Sequence, residues 1–292
     1  MVKLKGVVSM KLRSLLFVPG DRPDRFAKAA ASGADAIIID LEDSVGLERK
    51  IVAREAAAEY LSGDRPVPVF VRVNPQDSQM THDDLASVLP YMPDAIVLPK
   101  AEGARSVNWL RAEAAAVADS QDGEAPPILP IATETPGAVF DLGNLREVAV
   151  YLVGVSWGAE DLPAAIGAVT AREADGRYTA PYEMVRSLTL FAAHAAGVAA
   201  IDTVFPNISD QDGLVAYVAR AARDGFSGML AIHPSQVAAI NAGFTPSSAQ
   251  VAQAQSIVDA FAANPGAGVL QLDGKMIDAP HLKAALSILS RA

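Results

Sequence analysis

Within residues 128–162 two apolar runs each end in a carboxylate: ILPIATET delivers Glu134 and VAVYLVGVSWGAED delivers Asp161. Consecutive parallel strands joined by a crossover usually lie side by side, ~4.8 Å apart. Carboxylates at the same ends of such strands can share one hard cation. Mg²⁺ takes one or two carboxylates and fills its remaining positions with waters and substrate oxygens. Strand-end Asp and Glu can equally cap the helix that follows, and the two runs alone leave both readings open.

The elements that would position these groups repeat along the chain. Short apolar runs alternate with Ala-rich helical stretches, the pattern of a parallel sheet wrapped in helices. Eight strands are expected: LLFVP (15–19), AIIIDL (36–41), VFVRV (69–73), AIVLP (95–99), ILPIA (128–132), YLVGV (151–155), DTVFP (202–206) and MLAIHP (229–234). Their near-continuous hydrophobicity requires burial on both faces. Gly33, Gly63 and Gly197 fall where helix C-caps are expected. Eight such units indicate an α/β fold, a (β/α)₈ barrel; a doubly wound open sheet is the alternative, but no GxGxxG turn follows any strand.

In a barrel of this kind the active site lies at the C-terminal ends of the strands. Those ends read Pro19-Gly20-Asp21-Arg22, Asp40-Leu41-Glu42-Asp43, Arg72-Val73-Asn74, Pro99-Lys100, Glu134, Glu160-Asp161, Asn207 and His233-Pro234. Charges are rarely buried unless paired or coordinated, so polar clusters gathered at one mouth imply a site.

The division expected is a barrel over residues 1–244 and a C-terminal cap over 245–292. The cap holds a helix with N-terminal capping residues, a break at Pro265-Gly266-Ala267-Gly268, a hairpin around Asp273-Gly274 and a last helix. Alone, about fifty residues are too few for a stable core.

Composition narrows the function classes. The net charge of −10 argues against nucleic acid and anionic membrane as partners. With no cysteine and four histidines, none in an HxxxH pair, thiolate chemistry is excluded and a histidine-built metal site is not expected. The lysines and apolar residues before Pro19 imitate a signal peptide, but the apolar run is short and no cleavage site follows. A cytoplasmic protein is expected, with Met10 as an alternative start.

The motifs RSLLFVPGDRPDRFAKA, ADAIIIDLEDSV, VFVRVNP, AIVLPKAE, the Glu134 strand, WGAEDL and MLAIHPSQV occur in that order. Together they resemble the citrate lyase β-subunit-like group of the HpcH/HpaI aldolase and citrate lyase superfamily, from about Leu12 onward. The resemblance implies a TIM barrel that uses Mg²⁺, with Mn²⁺ as substitute, and makes or breaks C–C bonds beside an acyl thioester. It implies Glu134 and Asp161 as metal ligands, Arg72 as the active-site arginine, and Glu42 and Asp43 as holders of metal-bound water. It also implies Phe17, Arg22 and Lys28 as contacts for the nucleotide part of coenzyme A, with Ile232, His233 and Pro234 bordering the thioester arm. Independently, cations beside a Pro23-initiated helix suit phosphate, although Lys28 also suits a solvated helix face. His233 is expected to be mainly structural.

By the same resemblance DGKMIDAPHLK belongs to a cap of the malyl-CoA and citramalyl-CoA lyase kind, in which an aspartate of one subunit, here Asp278, completes a neighbour's site as the catalytic base. A homotrimer or hexamer is implied. Asp278 before Pro280 is also well placed merely to cap the last helix. The sequence departs from the family where Pro136 and Gly137 follow the metal ligand in place of an Ala-Arg-Gly turn. The expected activity is an oxo-acid lyase of small acyl-CoA and oxo-acid substrates. Thioester hydrolysis on the same site and a pyruvate-class aldolase without coenzyme A are the alternatives.

Overall fold

The computed structural model describes residues 10–118 and 125–292. Eight parallel strands form one sheet: β1 (Ser14–Pro19), β2 (Ala36–Asp40), β3 (Val69–Arg72), β4 (Ala95–Leu98), β5 (Ile128–Pro130), β6 (Gly154–Ser156), β7 (Ala199–Asp202) and β8 (Gly228–Ala231). Their order is β5-β4-β3-β2-β1-β8-β7-β6. The two ends meet through bridges of Ile128 with Leu152 and Ile131 with Ser156, so the sheet closes into the expected barrel. Leu15, Ile38, Phe70, Leu129, Ile201 and Leu230 belong to one buried cluster, drawn from six strands of the barrel. The alternation of strand side chains accounts for such a cluster: every second residue turns inward.

Helices follow the strands: α1 (Phe26–Ala30), α2 (Lys50–Ser62), α3 (Thr81–Val88), α4 (Gly103–Ala118), α5 (Pro136–Asp141), α6 (Leu162–Ile166), α7 (Ala180–Ala196), α8 (Gln211–Asp224) and α9 (Pro234–Phe244). Two strands sit away from their apolar runs. β7 occupies Ala199–Asp202 rather than residues 202–206, because Asp202 ends the strand in bonds to Trp157 and Arg186, and Phe205 packs on Tyr217 outside the sheet. β6 begins at Gly154, where a Cβ would stand 2.9 Å from the Ala199 carbonyl oxygen; only glycine admits that approach. Gly197 ends α7 in the left-handed conformation (φ +72°), whereas Gly63 ends α2 with extended backbone and α1 is ended by Ala31, two residues before Gly33.

The chain divides into Met1–Asn241 and Ala242–Ala292, three residues earlier than the sequence suggested. Within the second unit, α10 (Ser248–Ala263) begins in a capping box of Ser247 and Gln250. A hairpin of β9 (Val269–Leu272) and β10 (Lys275–Asp278) turns through Asp273 and Gly274, both at positive φ, as a two-residue turn requires. α11 (Ala279–Leu289) follows and packs on α10. Among the described residues no helix is long and apolar enough to cross a membrane.

Candidate active site

The last residues of β2 and β3 are register partners, which sets Asp40 beside Arg72. The guanidinium forks onto the carboxylate, Nε to Oδ1 at 2.6 Å and Nη2 to Oδ2 at 2.7 Å. Asp40 also accepts the N–H groups of Glu42 and Ser44, which folds the LEDS loop back over the strand end. Burial works to raise the Asp40 carboxyl, but the Arg72 fork and these bonds hold it below the usual range. Arg72 lies 4.7 Å over the Phe17 ring and is itself almost buried. Lys50 secures the same loop from α2, donating to the Leu41 and Glu42 carbonyls and to Asn74 Oδ1 at 2.6–2.8 Å.

Glu134 is buried, and the backbone N–H of Lys100 donates to its Oε2 at 2.5 Å. Burial, with the charges of Glu42 and Asp161, pushes its carboxyl up to about 8 against the effect of that N–H. Glu42 is also raised, chiefly by burial, although Arg72 and Lys100 pull it down. Lys100 Nζ stands 2.5 Å from Glu42 Oε1, 3.8 Å from Asp161 and 3.9 Å from Asp43. Glu42 Oε2 lies 3.0 Å from Arg72 Nη1 yet has no hydrogen bond among the described residues.

Neither expected ligand is spent on a helix cap. Thr135 caps α5 through Ala138 N–H, and Asp161 makes no side-chain cap bond at α6. Gly158 is the close neighbour of Glu134: a Cβ there would stand 2.5 Å from Glu134 Cγ. Among the described residues no three His, Cys, Asp or Glu side chains converge as a metal cluster. Glu134, whose ionised form is opposed by burial and by the charge of Asp161, together with Asp161 beside it, fits a hard cation that keeps most of its waters, as Mg²⁺ does. Of the departing pair, Pro136 opens α5, and a Cβ on Gly137 would meet Glu102 only at ordinary contact distance, 3.5 Å.

Arg72, Glu134, Asp161, Asp43 and Trp157 line a cavity of about 410 Å³, with Phe17 and Ile232 at its side. Phe17 and Ile232 also line a neighbouring cavity of about 330 Å³, together with Arg25, Lys28, His233 and Pro234. Arg22 is not on it: its guanidinium forks to Asp24 at 2.9–3.0 Å, and Arg25, overlooked in the sequence, stands there instead. His233 Nδ1 is 2.8 Å from Ser235 Oγ and accepts Ser235 N–H, a turn-forming role. Gln236, buried and also overlooked, accepts the N–H groups of Ile232 and His233 and donates to the Phe205 carbonyl, which holds that wall. A larger cavity, about 480 Å³, lies among Tyr178, Phe205 and Tyr217 and contains none of Glu42, Glu134 and Asp161.

In the second unit Asp278 is the N-cap of α11, accepting His281 N–H and facing His281 Nδ1 at 2.5 Å. The bond to His281 holds its carboxyl below the usual range, so the raised value expected of a desolvated base is not what this chain's own contacts produce.

The family model HpcH/HpaI aldolase/citrate lyase matches residues 13–234. The chain is 37% identical to a citrate lyase subunit beta-like protein of Mycobacterium tuberculosis, over 95% of this chain and 94% of that one. It is 33% identical to the (3S)-malyl-CoA thioesterase of Cereibacter sphaeroides, over 96% and 94% respectively. Among solved structures, CitE of M. tuberculosis in complex with magnesium, acetoacetate and coenzyme A superposes with a TM-score of 0.80 at 33% identity, covering 98% of this chain and 99% of the other. A parallel (β/α)₈ barrel with acid groups at its C-terminal mouth thus has close kin. The chain belongs to the HpcH/HpaI aldolase/citrate lyase family.

Proposed function

We propose that this protein is a Mg²⁺-dependent carbon–carbon lyase that cleaves or forms a 3-hydroxyacyl-CoA of the malyl-CoA or citramalyl-CoA type. The observation that carries this reading is the pair of adjoining cavities. One gathers Arg72, Glu134 and Asp161; the other carries Arg25 and Lys28, which have no ion pair among the described residues. Such cations suit the phosphates of coenzyme A, and the shared wall of Phe17 and Ile232 suits its apolar arm. The magnesium and coenzyme A bound by the M. tuberculosis relative support both assignments.

Glu134 and Asp161 would hold the ion, which supplies Lewis-acid polarisation of the small acid's oxygens when bound. In cleavage, a base takes the proton of the 3-hydroxyl, the C2–C3 bond breaks as the C3 carbonyl forms, and the electron pair passes into the thioester as an enolate. Arg72, held in its fork by Asp40 and stacked on Phe17, faces that enolate oxygen. Protonation at C2 then yields the acyl-CoA, and condensation runs in reverse. Asp278 of a neighbouring subunit is the proposed base, in a trimer or a multiple of one. Removal from water on docking would have to outweigh the pull of His281. Glu42 and Asp43 would hold water around the ion.

Hydrolysis of the thioester is the second reading, favoured by the likeness to a (3S)-malyl-CoA thioesterase. Malyl-CoA and citramalyl-CoA, incubated with the enzyme and Mg²⁺ and followed by mass, separate the two. A lyase gives acetyl-CoA and a 2-oxo acid; a hydrolase gives free coenzyme A and the hydroxy acid. If neither substrate is consumed, both readings fail.

A further inference from the structure

Lys100 has no role in the chemistry above, yet its ammonium lies within 4 Å of Glu42, Asp43 and Asp161, and its N–H donates to Glu134. It follows β4 in left-handed backbone, φ +50°, with its N–H donating to Glu134 and its ammonium against Glu42. Its ammonium is 2.5 Å from Glu42 Oε1, and the other oxygen of Glu42 is 3.0 Å from Arg72 Nη1. Both oxygens of this buried carboxylate therefore face a fixed cation. Glu134, in contrast, meets only a backbone N–H, and Asp161 meets the ammonium only at 3.8 Å.

We infer that Lys100 is a positioning residue that limits the ligand count of the divalent ion: by holding Glu42 in an ion pair, it withholds that carboxylate from an ion held by Glu134 and Asp161. This rests on the metal reading of the proposed function. Without the ammonium, Glu42 keeps only Arg72, at one oxygen and outside hydrogen-bond geometry, and its other oxygen would be free to turn to the ion. A third carboxylate changes what the site prefers. Mg²⁺ demands six near-ideal positions and keeps its waters, whereas Ca²⁺ takes six to eight oxygens and gains from each added carboxylate. Lys100 thus selects for the smaller ion.

The test is calorimetric titration of MgCl₂ and of CaCl₂, without substrate, into the wild type, K100M, K100N and the double variant K100M/E42Q. Asn tolerates left-handed backbone, so K100N serves should K100M not fold. The expected result is a shift of at least tenfold in relative affinity toward Ca²⁺ in the single variants, returned to the wild-type ratio by E42Q. An unchanged ratio, a shift that survives in the double variant, or loss of both ions in the single variants would overturn the inference. Failure of the wild type to bind either ion would instead overturn the metal reading beneath it.

Discussion

Asp40 and Arg72 meet in a two-bond fork at the mouth of the barrel, both bonds under 2.8 Å, with the carboxylate almost wholly buried. A lysine cannot make two parallel bonds to Asp40 and still face the cavity. In Arg72→Lys we expect kcat to fall by about 10²–10³, the usual loss for one oxyanion donor, with KM little changed. Steady-state kinetics check this; a risen KM with kcat intact would mean that Arg72 only grips the ground state.

Asp40→Asn attacks the same fork from the carboxylate side. It leaves a buried guanidinium with Glu42 as its near partner, and breaking a buried pair costs on the order of 3 kcal/mol. The melting temperature should drop markedly, and kcat should fall even well below it. Retained activity at low temperature would show that Arg72 needs no support from Asp40.

Removal of the ion should abolish turnover. EDTA is expected to silence the enzyme and Mg²⁺ or Mn²⁺ to restore it, while Glu134→Gln stays silent yet folded. Gly158→Ala offers a subtler version, because its methyl would press on Glu134 Cγ from 2.5 Å. Overpacking costs about 1–3 kcal/mol, so affinity for Mn²⁺ should fall roughly tenfold or more with the fold kept. Full activity in excess chelator would remove Glu134 and Asp161 from the role of ligands.

The raised carboxyl of Glu134 makes the ion-free protein sensitive to pH. Its folded value of about 8 stands above the ordinary 4.5, so the native state binds the proton more tightly than the unfolded chain does. The stability this lends is fully present below 4.5 and is lost as pH rises toward 8. Denaturant unfolding in EDTA should therefore show wild-type stability declining across that window more steeply than that of Glu134→Gln, and saturating Mg²⁺ should reduce the difference. Parallel profiles in EDTA would contradict the assignment.

The strands' two-sided hydrophobicity made the barrel legible, and with the barrel came its mouth; Glu134, Asp161, Arg72 and Glu42 were all readable as strand ends. Lys100 was visible at the end of β4, but its reach to Glu42, across 58 residues of sequence, depends on a backbone conformation that no local pattern announces. Lys50 and Gln236 read as ordinary helix residues because their partners lie in loops outside their own helices, Leu41, Glu42 and Asn74 for Lys50 and Phe205 for Gln236. Arg22 and Arg25 are equivalent by composition, and only the path of the turn Pro23–Arg25 decides which reaches the cavity. β7 was displaced because the two runs share Asp202, and its burial at the strand's end is decided by the distant partners Arg186 and Trp157.

The last prediction concerns Asp278. Within its own unit it caps α11 and pairs with His281, an arrangement that lowers its carboxyl and by itself makes a poor base. Val269, Met276 and Leu286 of the same unit remain largely exposed. Burying a large apolar side chain is worth about 1.5–3 kcal/mol, so a neighbouring subunit is a favourable place for this face. If Asp278 serves across such a contact, Asp278→Ala and Glu134→Gln should each be inactive, and mixing them should regenerate activity, because hybrids contain sites with both residues intact. Sedimentation should show a trimer or a multiple of one. A plain helix cap behaves differently: Asp278→Ala would then lose only about 1 kcal/mol of stability, and kcat would be nearly unchanged. Subunits that exchange yet stay dead would return Asp278 to its own chain.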